Sequence, residues 1–145
     1  MARLLDGMES LLRGEVAPPP AARLVGMSLA SFAPGEAVVE ICADDRHTNP
    51  MGTVQGGLLA ALADAAMGWA YMTTLEEGES YATLEMKINF LKPVWEGRLS
   101  GRARVRKAGR VIGLVECDVV DDDGKLVAHA TSTCMTLRGE QATGR

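Results

Sequence analysis

Residues 57–72 read GLLAALADAAMGWAYM. The stretch is rich in strong helix formers and has no proline, so it predicts one helix from Gly57 to Met72. Apolar residues surround that helix on nearly every side, and something broad must bury it. The whole apolar run from Gly56 to Met72 is too short for a comfortable membrane span and carries Asp64 in its middle. The cover is therefore expected to be protein.

The flanking sequence supplies it. After the helix the apolar period drops to two. Ala82, Leu84, Met86, Ile88 and Phe90 share one parity, while Thr83, Glu85, Lys87 and Asn89 share the other. Leu99 to Val105 alternates with arginines in a second strand. Val111 to Val120 and Lys125 to Leu137 give two more, joined at Asp122-Asp123-Gly124. Upstream, Arg23–Phe32 and Ala37–Ala43 flank Pro34-Gly35 and read as a hairpin. Asp44 to Val54 is polar, with Pro50 and Gly52, and reads as a loop. Leu4, Leu5, Met8, Leu11 and Leu12 form one helical stripe, which Pro18, Pro19 and Pro20 stop. The order is helix, two strands, a long buried helix, four strands. That is an α+β fold with an antiparallel sheet covering the central helix. The expected organisation is an N-terminal helix and Pro-rich connector over 1–21, one domain over 22–138, and a loose polar tail over 139–145.

Composition excludes several classes. A chain of 145 residues fits one domain, and an apolar share of 47% is that of an ordinary globular protein. A net charge of -4 offers no general attraction to nucleic acid or an anionic membrane. Cys42, Cys117 and Cys134 are widely spaced, with no CxxC pair, and no His-x-x-x-His occurs. Neither a disulfide framework nor a metal site is expected. Asp6 stands where a secretory leader needs an apolar core, so a cytoplasmic protein is expected.

Asp64 is the one acid or base in the central helix apart from the high-pKa Tyr71. A carboxylate in a covered helix costs several kcal/mol, on the order of 3–5, unless it is paired or used. Directly before the helix stands Gln55-Gly56-Gly57. The glycines let a ligand approach the backbone, and first-turn N–H groups lack acceptors and sit at the positive end of the helix dipole. Such a site can bind an oxyanion. A tight turn with no ligand is the competing reading. Asn49 in the preceding loop either donates to a bound group or closes a turn, and His47 either lines the site or is solvated. Arg98, Arg102, Arg104 and Arg106 share a parity and suit a solvated outer sheet face. Lys107 and Arg110 flank Ala108-Gly109, a turn able to reach the phosphates of a nucleotide-bearing ligand.

Together, Asn49-Pro50-Met51-Gly52-Thr53-Val54-Gln55-Gly56-Gly57, Leu62-Ala63-Asp64-Ala65-Ala66 and Asn89-Phe90-Leu91-Lys92-Pro93-Val94 with Gly97 resemble the signature of PaaI-like hot-dog thioesterases. The resemblance spans residues 22–137. It implies a sheet wrapped around the central helix, pairing of two protomers and often a homotetramer. It also implies hydrolysis of an acyl-CoA without cofactor or metal. By position, Asp64 matches the family's carboxylate base or nucleophile, Gly57 its carbonyl-polarising amide, and Asn49 the polar residue that helps place water or substrate. Gln55, Gly56, Gly68, His47, Lys107 and Arg110 are the expected substrate contacts. Two departures stand out. Many relatives have His at the place of Gln55, which cannot ionise. Some carry Ser or Thr, one turn after the acid, at the place of Gly68.

Three readings compete: an acyl-CoA hydrolase, a non-catalytic acyl-CoA binding module, and a dehydratase on acyl thioesters. Asp64 favours an enzyme, and the absence of a histidine near the Gly-Gly turn disfavours dehydration. A pocket shaped by Gly68, Trp69, Met72, Met86 and Phe90 would suit an aromatic or medium-chain acyl group. For the basic turn, Lys107→Ala and Arg110→Ala are expected to raise KM for acyl-CoA more than they lower kcat. Contacts made equally in ground and transition states act on KM alone. The effect should shrink with a pantetheine thioester lacking the nucleotide, and steady-state kinetics on both substrates checks it.

Overall fold

A computed structural model describes residues 2–145, with side chains from Leu4 onward; Met1 lies outside the described residues. The elements are α1 (Ala2–Leu12), α2 (Pro20–Val25), β1 (Met27–Ala33), β2 (Glu36–Ala43), α3 (Gly56–Met72), β3 (Ser80–Phe90), β4 (Gly97–Ala108), β5 (Ile112–Val120) and β6 (Leu126–Leu137). One six-stranded sheet runs β1-β2-β4-β5-β6-β3, and every neighbouring pair is antiparallel. The helix α3 leaves the chain after β2 and delivers it to β3 at the opposite edge. It thus crosses the inner face of the sheet, and the sheet wraps it as expected.

The packing follows the sequence pattern. Leu62, Ala63, Ala66, Met67, Ala70 and Tyr71 of α3 are buried against inward residues of the strands, including Val39, Leu99, Val115 and Cys117. Gly101 of β4 lets the helix come close, since a Cβ there would lie 3.3 Å from both Leu62 and Ala66. The helix is also tied at its C-terminal end. The Thr73 hydroxyl donates to the Ala70 carbonyl at 2.7 Å and accepts from the Gly35 N–H at 2.7 Å, which joins the β1–β2 turn to α3.

Two local expectations need correction. The strand expected from Arg23 begins at Met27, because Pro20 opens a short helix that Gly26 ends. Proline is tolerated at the first helical position, where its missing N–H has no acceptor to lose. Gly26 has φ +87° and donates to the Ala22 carbonyl, an αL cap. The second correction concerns β3. Its pairing with β6 skips a residue between Thr83 and Glu85, so Leu84 is an unpaired bulge that reverses the parity of the strand. Met86 and Ile88 still pack inward. Before the bulge, Tyr81 and Thr83 face α3, and Leu84, expected in the core, is 52% exposed.

A tight spot in the core is Gly113 of β5. A Cβ there would sit 2.2 Å from the Tyr71 ring. That ring cannot swing away cheaply, because its hydroxyl is held at 2.7 Å from the Thr136 hydroxyl and the residue is 1% exposed. Gly113→Ala is expected to destabilise the fold by about 1–3 kcal/mol or more, the range for overpacking a filled core. Urea unfolding should show the midpoint falling.

Candidate active site

Asp64 lies on the flank of α3 that turns toward β3, not deep under the sheet. The sheet ends at β3, so this flank opens to solvent and the expected full burial is corrected. Protein still surrounds enough of the carboxyl to push its pKa above the ordinary aspartate range, and a hydrogen bond from Thr83 partly offsets that rise. The Thr83 hydroxyl donates to Asp64 Oδ1 at 3.4 Å. Thr83 was not among the expected site residues. Strict alternation places it outward with Glu85, and only the bulge at Leu84 turns it inward. A hydroxyl next to the acid therefore comes from β3.

At the other end of the site, the N–H groups of Gly56 and Gly57 reach no backbone acceptor among the described residues, while Leu58 donates to the Gln55 carbonyl. No side chain caps the helix, and Gln55 is exposed with its amide free of intramolecular bonds among the described residues. The Cβ direction of Gly57 meets nothing within 4 Å, and the residue is exposed, so this end of the helix is open to solvent. Gly56 differs: a Cβ there would press on the Phe90 ring at 3.1 Å. Its lack of a side chain serves packing at the mouth of the helix.

The loop before the helix is held from within. Asn49 Oδ1 accepts from the N–H groups of Met51 and Thr53 at 2.9 and 3.2 Å, and its amide donates to the Thr53 hydroxyl at 2.8 Å. Asn49 thus closes the turn that leads to Gly57, with one amide hydrogen remaining. His47 is corrected as a substrate contact. It is 6% exposed. Its Nδ1 accepts from the Asp44 N–H at 3.0 Å, which puts the ring proton on Nε2, and Nε2 donates to the Val25 carbonyl at 2.8 Å. Both ring nitrogens are spent on anchoring the loop to the end of α2.

Gly68 is corrected as well. A Cβ there would lie 2.2 Å from the Tyr81 hydroxyl oxygen, so that phenol, not an acyl chain, occupies the space beside Gly68. Trp69 turns away from Asp64 and lines a small apolar cavity with Leu11, Pro18 and Pro19. Lys107 and Arg110 are exposed around the β4–β5 turn, near the C-terminal end of α3. They stand at the opposite end of the helix from Gly57. Arg98, Arg102, Arg104 and Arg106 face solvent as expected, and Arg104 pairs with Glu116 at 2.6 Å.

The profile of the thioesterase superfamily matches residues 51–128, which holds the glycine turn, Asp64 and Thr83. Human acyl-coenzyme A thioesterase 13 is 32% identical over 114 residues, 77% of this chain and 81% of that protein. Acyl-coenzyme A thioesterase PaaI of Escherichia coli is 30% identical over 108 residues, covering 74% of this chain and 75% of its own length. A solved structure of a phenylacetic acid degradation-related protein from Ralstonia eutropha superposes with a TM-score of 0.80 at 38% identity, over 88% of this chain and 98% of that one. The likeness holds in sequence and in shape, and the chain belongs to the thioesterase superfamily as a PaaI-like hot-dog thioesterase.

Proposed function

We propose that the protein hydrolyses an acyl-CoA, with an aromatic or medium-chain acyl group, to the free acid and CoA. Asp64 serves as base or nucleophile and the Gly57 N–H as oxyanion donor. The carrying observation is the carboxylate, raised above its ordinary pKa and hydrogen-bonded to Thr83, on the same helix as an unpaired glycine amide. Acyl-CoA is the substrate class named for the human and Escherichia coli relatives. With Asp64 as base, the water oxygen bonds to the carbonyl carbon as its proton passes to the carboxylate. The carbonyl electrons move onto the oxygen facing Gly57 N–H. Collapse breaks the C–S bond, and the departing thiolate takes up a proton. With Asp64 as nucleophile, a mixed anhydride forms first and water then cleaves it. A panel of acyl-CoAs with trapping of released thiol tests the reading; binding without turnover across the panel would make the protein a sensor module instead.

Each site is proposed to use two chains. Gly57 and Asp64 are seven residues apart, about 10.5 Å along the axis at 1.5 Å per residue. Attack needs the reacting atoms about 3–3.5 Å apart, with the oxyanion donor close by. One carboxylate cannot span that gap along its own helix, whereas two antiparallel helices bring Gly57 of one protomer beside Asp64 of the other. The unpaired edge of β3 lies on that flank. The same reversal carries the Lys107 and Arg110 turn of one chain toward Gly57 of its partner, so phosphate contacts and the amide donor converge. A homodimer is the state this implies; its further assembly as a homotetramer is what the resemblance to the family implies.

Asp64→Asn is expected to fold normally and to lose about a hundredfold or more in kcat, the scale of a positioned base. Near-normal turnover by a folded variant would sink the assignment. The pH profile has a defined sign. The carboxylate is the working form, so kcat/KM should fall as pH drops through the Asp64 pKa, on a limb above the ordinary aspartate range. Thr83→Val removes the one contact that lowers this pKa, and the limb should move to still higher pH. Co-expression of Asn49→Ala and Asp64→Asn chains checks the shared site. A heterodimer carries one intact and one doubly damaged site, so activity should partly return. Verified heterodimers with no recovery would reject the two-chain arrangement.

A further inference from the structure

Tyr81 has no role in the chemistry so far, yet its hydroxyl lies in the same groove as Asp64. It sits where a side chain on residue 68 would begin, 2.2 Å from the Cβ position of Gly68. Residue 68 is one helical turn past residue 64, on the same face and about 6 Å along the axis. On the strand, Tyr81 and Thr83 are two residues apart and about 6.8 Å along β3. The two spacings match, so helix and strand meet as two rungs: Thr83 at Asp64 and Tyr81 at Gly68. Each rung places a hydroxyl against the helix.

The upper hydroxyl is free. Tyr81 makes no side-chain hydrogen bond among the described residues, whereas the neighbouring Tyr71 hydroxyl is paired with Thr136. Partly buried tyrosines usually find a partner. No side-chain nitrogen or oxygen among the described residues is both shut off from solvent and unpaired, so this phenol oxygen touches solvent. It is also fixed in place. Its ring packs edge-on against Tyr71 at 5.8 Å between centroids, and Tyr71 is wedged by Gly113 and Thr136. Burial, then the Asp64 charge and Cys134, push its pKa up to about 12, so it stays a neutral phenol across working pH.

We propose that Tyr81 positions the water consumed in hydrolysis, with its hydroxyl oxygen and the Asp64 carboxylate each accepting one of that water's hydrogens. A water that donates to two oxygens holds them about 4.5–5 Å apart, so the two side chains need close only the last ångström or so of the helical turn between the rungs. With both hydrogens engaged, a lone pair of the water is left to face the carbonyl carbon. The departure at Gly68 is thereby explained: glycine is what leaves room for a hydroxyl supplied from the strand. The proposal rests on the assignment of Asp64 to the reaction.

Tyr81→Phe keeps the ring and removes the oxygen. On the acyl-CoA hydrolysed fastest in the panel, kcat is expected to fall about tenfold, the worth of one hydrogen bond, with KM changed less than about twofold and the thermal midpoint retained. Gly68→Ser alone should also be slow, since its side chain collides with the phenol. In the double variant the nearest ring atom to a Cβ at residue 68 is Cζ at 3.2 Å instead of the oxygen at 2.2 Å, so the serine is accommodated once the ring gives by a few tenths of an ångström, and its hydroxyl should restore part of kcat. Full kcat in Tyr81→Phe overturns the proposal, as does a double variant no faster than Tyr81→Phe, or a loss of kcat that tracks a loss of thermal stability. Asp64→Asn in the same assay separates the two readings. If it is inactive while Tyr81→Phe is normal, only the tyrosine assignment fails; if both are normal, the assignment of Asp64 fails and takes the tyrosine with it.

Discussion

An apolar helix with one carboxylate cannot be covered on all sides. Burying Asp64 completely and unpaired would cost more than most single contacts contribute. Leaving α3 uncovered would expose much of the core. The sheet resolves the conflict by wrapping α3 from β2 across β4 and β5 and stopping at β3. The open flank is where Asp64, Thr83 and Tyr81 gather. The candidate site is the place where the sheet runs out.

The contents of that flank depend on backbone irregularities as much as on side-chain identity. Free amides at Gly56 and Gly57 exist because a helix start has no preceding turn to donate to, and because no side chain caps this one. Asn49 and His47 hold the loop that aims these amides, using polar groups that would otherwise be available to a ligand. Gly68 and Gly113 form a matched pair of hollows, one filled by Tyr81 and the other by Tyr71, which fixes two phenols between helix and sheet.

Much of this was legible in the order of residues. Helix α3 announces itself by composition, the strands by period two, and Asp64 by being the sole carboxylate in an apolar run. Gly57 stands out only beside Asp64 and the resemblance, because two glycines before a helix read equally well as a tight turn. Thr83 and Tyr81 were hidden for one reason. Alternation assumes an unbroken pleat, and the residue that breaks it, Leu84, is as apolar as a core residue should be. His47 was hidden for another: a histidine in a polar loop gives no sign that a distant carbonyl, that of Val25, will claim its second nitrogen. The short helix after Pro20 was masked because a proline run reads equally as a stop and as a helix start.

The bulge at Leu84 works as a frame shift written in three dimensions. Upstream of it, odd-numbered residues of β3 address the groove; downstream, even-numbered residues address the core. Were the bulge removed with Leu84 kept and paired opposite Cys134, Leu84 and Ala82 would face the helix in place of Thr83 and Tyr81, without altering any amino acid. The polarity around Asp64 is thus stored in the placement of an extra residue rather than in a motif. A lineage of such chains can exchange a wet groove for a dry one by sliding a bulge, a change that a comparison of residue types alone would not record.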